Sequence, residues 1–138
     1  MRSWIRFAVF SVMLFHFVGT VLAVEIPKGW TRIGGGDTST VYVDLTTIRR
    51  SGNMVKMWSL NDFKSIQDIG HGRPFMSLTS QNEYDCKEER SRQLYFTSHT
   101  EKMGNGAIAF SSTEITKWYP VPPAGGLRVS WDLVCNKD

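Results

Sequence analysis

The sequence predicts a mostly β protein, a single antiparallel meander of about six strands. Three observations carry that prediction. From Met76 to Cys86 the residues alternate, with Met76, Leu78, Ser80, Asn82, Tyr84 and Cys86 on one face and Thr79, Gln81, Glu83 and Asp85 on the other; this is the period of a half-buried antiparallel strand. Two short Gly- and Asn-bearing segments, Ser51-Gly52-Asn53 and Met103-Gly104-Asn105-Gly106, interrupt β-prone runs where a hairpin needs positive φ. Successive short turns also leave no room for the crossover helices of βαβ units.

The elements follow in order. Trp30–Ile33 is a short β-prone run closed by Gly34-Gly35-Gly36-Asp37, and Thr40–Asp44 is rich in β-branched and aromatic residues. Ile48–Arg50 and Met54–Leu60 flank the first turn. Asn61 to Pro74 reads as a longer polar connection without helical period. Leu94–Ser98 and Ala107–Ser111 are two further strands around the second turn, where Gly104 and Gly106 would each cost a helix about 1 kcal/mol. The last segment stays open. Leu127, Val129, Trp131, Leu133 and Cys135 alternate as in a strand, while Leu127, Trp131, Val134 and Cys135 fit a helix face.

Ahead of this domain, Arg2 and Arg6 precede an apolar run, Phe7–Val18, and Val21-Leu22-Ala23 offers a cleavage site before Val24. The run falls short of the roughly 20 residues a spanning helix needs, so residues 1–23 are expected to be a removed secretory signal peptide and 24–138 a single exported domain. The whole chain carries 16 Lys and Arg against 13 Asp and Glu; without Arg2 and Arg6 the count is 14 against 13, or +1. Such a domain lacks the sustained basic field of a nucleic-acid binder. Cys86 and Cys135, the only two cysteines, most simply form one disulfide in an exported protein. Closing so long a loop stabilises by about 4 kcal/mol in the chain-entropy account.

Catalytic patterns are sparse. There is no Gly-x-Ser-x-Gly elbow, and no Lys-Ser/Thr follows Gly34–Gly36 to make a phosphate cradle. His71 and His99 stand alone, without metal-ligand spacing. Glu83 and Asp85 share a strand face that is expected to be solvated. The expectation is therefore no enzyme, no metal and no cofactor. Two features point instead to protein binding. The stretch Cys86-Lys-Glu-Glu-Arg-Ser-Arg92 offers Lys87, Arg90 and Arg92 as candidate partner-binding residues, with Arg49-Arg50 a weaker one. Trp30, Trp58, Trp118 and Trp131 are many for one small domain; most should fill the core, and an exposed one would anchor a partner.

Several of these residues together resemble the bacterial surface-adhesin protein E family. The carriers are Val41-Tyr-Val-Asp44, Ile48 and Arg50 before a Gly turn, Val55-Lys-Met-Trp58 with Leu60, and Glu83-Tyr-Asp-Cys86. Met103-Gly-Asn-Gly106, Trp118 with Pro120 and Pro122, and Trp131 with Val134-Cys135 complete the set. The resemblance implies an α+β, mostly β fold in which a C-terminal helix is docked on the sheet by a Cys86–Cys135 disulfide. It also implies an exported non-catalytic domain that binds host extracellular-matrix or serum proteins and can form a homodimer. The chain departs from a surface lipoprotein in having Val24 where the acylated Cys would stand. A periplasmic or secreted protein without a stable membrane anchor is expected, with the cell surface still open to it. The alternative is a periplasmic cell-envelope structural or stress-related protein with no host role.

Overall fold

The computed structural model describes residues 29–70 and 73–136. The segment 1–23 read as a signal peptide, and His71, lie outside the described residues. Six strands run in chain order across one sheet: β1 (Trp30–Gly35), β2 (Ser39–Ser51), β3 (Met54–Gln67), β4 (Phe75–Asp85), β5 (Arg90–His99) and β6 (Ile108–Ser112). Each pairs antiparallel with the next. A two-residue β7 (Tyr119–Pro120) meets the start of β5 at Arg90 and Ser91, and the chain ends in a helix, α1 (Gly126–Cys135).

Two strands are longer than their sequences suggest. β2 is continuous from Ser39 to Ser51, with an irregularity between Asp44 and Arg49. There the chain bonds to itself: the Thr46 amide donates to Asp44 Oδ1 at 3.0 Å, and the Thr47 hydroxyl donates to the Asp44 carbonyl at 2.6 Å. β3 runs on to Gln67, so the polar connection expected from Asn61 to Pro74 is strand for its first half. Its polar residues are used. The Lys64 amide donates to the Thr38 carbonyl at 2.9 Å, and Asp62 Oδ1 accepts the Met103 amide at 2.8 Å.

The last segment is a helix, and burial decides between its two periodicities. Ser130 and Val134 are buried and Leu127, Trp131 and Cys135 pack inward, whereas Val129 and Leu133, which only a strand would align with them, are exposed. The inward residues meet the main core of Val43, Val55, Met57 and Tyr84. Each fully buried aliphatic side chain there contributes about 1.5–3 kcal/mol. Burial drives the Tyr84 phenol up to about 12, with the neighbouring Ser130 and Asn82 side chains pulling it back only in part. The ring is therefore a neutral core group. The Cys86–Cys135 disulfide joins the end of α1 to the turn after β4, and the Trp131 indole N–H donates to the Asp85 carbonyl at 3.2 Å.

A second, smaller core lies on the opposite sheet face, where Tyr42, Leu60 and Met103 pack with Trp30. The turn around Lys102–Gly104 covers it. Its Gly104 amide donates to Ser77 Oγ at 2.8 Å, and the Ser77 hydroxyl donates to the Glu101 carbonyl at 2.6 Å. Among the described residues no helix is long and apolar enough to cross a membrane.

Candidate partner-binding face

Alternation along the strands sends Lys56, Trp58, Gln81, Glu83 and Asp85 to the face opposite α1, because Val55, Met57 and Tyr84 between them point into the helix-side core. In β5, Arg92 and Tyr95 are three residues apart and would normally diverge. Gln93 pairs with Asn82 and Tyr95 with Gln81, so Leu94 is an extra residue that returns both side chains to one face.

At one end of this face Glu83 and Asp85 are buried, at 7% and 2% exposure, rather than solvated as their alternation suggested. Arg92 reaches Glu83 Oε2 through both Nε and Nη2 at 2.7 Å, and Arg90 Nε reaches Asp85 Oδ2 at 3.0 Å. Both guanidinium groups lie over the Trp118 ring, at 4.8 Å for Arg90 and 4.5 Å for Arg92. Trp118 is held there by its own connector. The Thr116 amide donates to the Gln93 carbonyl, the Gln93 amide donates to Thr116 Oγ1, both at 3.0 Å, and the Val121 amide donates to the Glu89 carbonyl at 3.0 Å. Two charges thus leave water only with their partners and a ring beside them, which is the condition for burying them at all.

Burial pushes the Asp85 carboxyl up, but the Glu88 amide, the Arg90 side chain and the Lys87 amide together outweigh it and hold the group below its ordinary value. The two amides donate to Asp85 Oδ1 at 3.1 Å each and fix the β4–β5 turn. Of the three candidate cations, the structure therefore brings Arg90 and Arg92 together on Trp118, while Lys87 stands exposed at the turn tip.

One row further along the same face, Trp58 and Tyr95 meet edge to face with centroids 5.7 Å apart, both half-exposed. The Thr97 hydroxyl donates to Tyr95 Oη at 2.7 Å and steadies the ring. Beside them a cleft of about 280 Å³ is lined by Arg49, Arg50, Met54 and Lys56 with Glu83. The face therefore joins two aromatic groups to a basic rim, a composition typical of binding hot spots. Tyr95 is the member that sequence reasoning missed, because the bulge that turns it to this face leaves no mark in the periodicity.

His99 lies opposite Ser77, six residues along β4 from Glu83 and so about 20 Å away. Its Nε2 is 3.1 Å from Thr79 Oγ1, and burial lowers its pKa. Among the described residues no three His, Cys, Asp or Glu side chains gather as a metal site would require.

The architecture defines a class: a small antiparallel sheet with a disulfide-fastened helix packed on part of one face, and aromatic and basic side chains on the other. The family model of surface-adhesin protein E matches residues 30–136, and the chain belongs to that family. Among solved structures it is similar to Haemophilus influenzae protein E in crystal form II, with a TM-score of 0.64 at 14% identity, covering 82% of this chain and 91% of that one. Another structure of Haemophilus influenzae protein E gives a TM-score of 0.61 at 14% identity over 82% and 88% of the two chains. Protein E from non-typeable Haemophilus influenzae gives 0.60 at 14% identity over 82% and 79%. At that identity the likeness carries the fold alone. No curated protein matches the chain in sequence.

Proposed function

We propose that this chain is an exported, non-catalytic protein-binding domain, an adhesin that takes host extracellular-matrix or serum proteins on the sheet face opposite α1. The observation that carries the reading is the Trp58–Tyr95 pair, two partly exposed aromatic rings on a rigid sheet beside the Arg49 and Lys56 rim. Rigid aromatic side chains lose little entropy on docking and supply large contact areas, and the cations favour an acidic partner. Membership of the surface-adhesin protein E family agrees with it.

Residues 1–23 act here as the export signal, and the mature protein works in the periplasm, the medium or at the cell surface. Passing the protein over immobilised extracellular-matrix extract and serum proteins at physiological salt tests the reading. Retention above an unrelated sheet domain supports it, and its absence refutes it. The Val at position 24 favours a second reading, an envelope protein that never leaves the periplasm. In that case a pull-down recovers a cell-envelope protein and no host protein.

A further inference from the structure

The helix-side face of the sheet is only partly covered by α1. Beyond the helix N-terminus lies an open groove of about 390 Å³, within the range of small-ligand sites. It shares Ser39, Val41 and Gly126 with an adjoining hollow of about 440 Å³ along β1. Its floor is made of hydroxyls and amides where a sheet face usually packs aliphatic side chains. Asn82 Nδ2 donates to Ser59 Oγ at 2.8 Å and lies 3.4 Å from Ser80 Oγ, and the two serine oxygens are 3.2 Å apart. Asn61 and Gln93 line it on either side. The Gln93 backbone is pinned by Thr116, which fixes where this lining residue starts from the strand.

Two properties select the ligand. None of the lining residues carries a charge, since the one ionisable group, Tyr84, stays neutral through the physiological range. The charged strand residues Lys56, Glu83, Asp85, Arg90 and Arg92 are on the other face. An ionic ligand would lose its hydration here and gain no partner. The second property is an apolar wall on the same face. Phe96 pairs with Ser80 and Phe110 with Ser98, and their rings are 5.7 Å apart, with Phe110 exposed at 37%. A polar floor that both donates and accepts, beside one exposed and one half-buried aromatic ring, fits a molecule with hydroxyl edges and an apolar C–H face.

We propose that this groove binds a neutral oligosaccharide, whose hydroxyls pair with Asn61, Asn82 and Gln93 while a sugar ring lies against Phe96 and Phe110. An extended peptide is disfavoured because its main gain comes from ladder pairing at a sheet edge. Here the floor strands already pair with each other. The site is separate from the face assigned above to protein partners, so either reading can fail without the other.

The test is a titration of the isotopically labelled protein with maltotriose, chitotriose and lacto-N-tetraose, followed through the side-chain amide resonances. A heparin disaccharide and an uncharged Ser/Asn/Gly peptide serve as contrasts. At least one neutral saccharide is expected to shift Asn61, Asn82 and Gln93 saturably. Asn61→Ala and Gln93→Ala should each weaken it about tenfold, the loss of one hydrogen bond to a ligand. Their melting temperatures should match the parent's, which separates lost binding from lost folding. The proposal is overturned if no saccharide shifts these resonances by about 10 mM, the weak end of measurable affinity. It is equally overturned if only the peptide or the heparin disaccharide shifts them, or if saccharide shifts fall on Trp58 and Tyr95 instead.

Discussion

Replacing Cys86 and Cys135 together by Ser removes the disulfide cross-link between α1 and the sheet. The two residues are 49 positions apart, and freeing a loop of that length restores unfolded-chain entropy equivalent to about 4 kcal/mol at room temperature. In a domain of this size each kcal/mol corresponds to roughly 4–6 °C, so the melting temperature should fall by about 15–25 °C. The native contacts of α1 do not depend on the bond. Val134 stays among Val43, Val55, Met57 and Tyr84, and the Trp131 indole still reaches the Asp85 carbonyl. The double variant should therefore keep the parent's far-ultraviolet circular dichroism at low temperature while losing stability. Urea unfolding should also show a larger m-value, because the uncrosslinked denatured chain exposes more surface. A loss below about 1 kcal/mol would refute the reasoning. So would loss of helical signal in buffer, which would mean that the bond makes the helix rather than holding it.

Three other perturbations follow from the same contacts. Arg92→Met strands the buried Glu83 carboxylate beside Trp118 and should cost about 2 kcal/mol by urea unfolding, with Arg92 itself partly exposed. Adding Glu83→Gln should recover much of that loss. Because the Asp85 carboxyl is held below its ordinary 3.8 in the folded protein, its contribution is complete above that value and disappears as pH falls through the lower folded one. Urea midpoints measured from pH 6 to 2 should accordingly drop less steeply below about pH 4 for Asp85→Asn than for the parent. Gly106 has φ +78°, and a Cβ there would sit 2.5 Å from Thr100 Oγ1, the group that accepts the Ala107 amide. Gly106→Ala should therefore lower stability by about 1–3 kcal/mol in thermal unfolding.

Much of the fold is legible in local pattern, and its misreadings have local causes. The alternation from Met76 to Cys86 places Tyr84 in the core and Cys86 toward the helix because each strand residue faces away from the next. The break seen after Asp44 is real in the backbone but small, since Thr46 and Thr47 fold back on Asp44 without ending the strand. The polar run after Asn61 hides a strand whose side chains serve a distant turn, as Asp62 does for Met103. Glu83 and Asp85 read as solvated because Trp118, which helps cover their partners, arrives more than thirty residues later. Tail periodicity fits both a strand and a helix; the exposure of Val129 and Leu133 separates them only once packing is known. For the proposed binding face, the tryptophans and the Cys86–Arg92 cations stand out in composition, whereas the bulge that adds Tyr95 does not. Ser80 and Asn82 were a signal of the other kind, polar residues on the apolar side of a strand, and they mark the groove floor.

The most direct test of the account is a surface plasmon resonance comparison of the parent with Trp58→Ala on immobilised extracellular-matrix extract. Trp58 is half-buried and packs edge to face on Tyr95, so its truncation should lower the melting temperature by several degrees, and binding is compared well below both midpoints. Saturable binding by the parent is expected, with a loss of about 2 kcal/mol, roughly thirtyfold in Kd, for the variant. Equal binding by the two proteins would contradict that expectation.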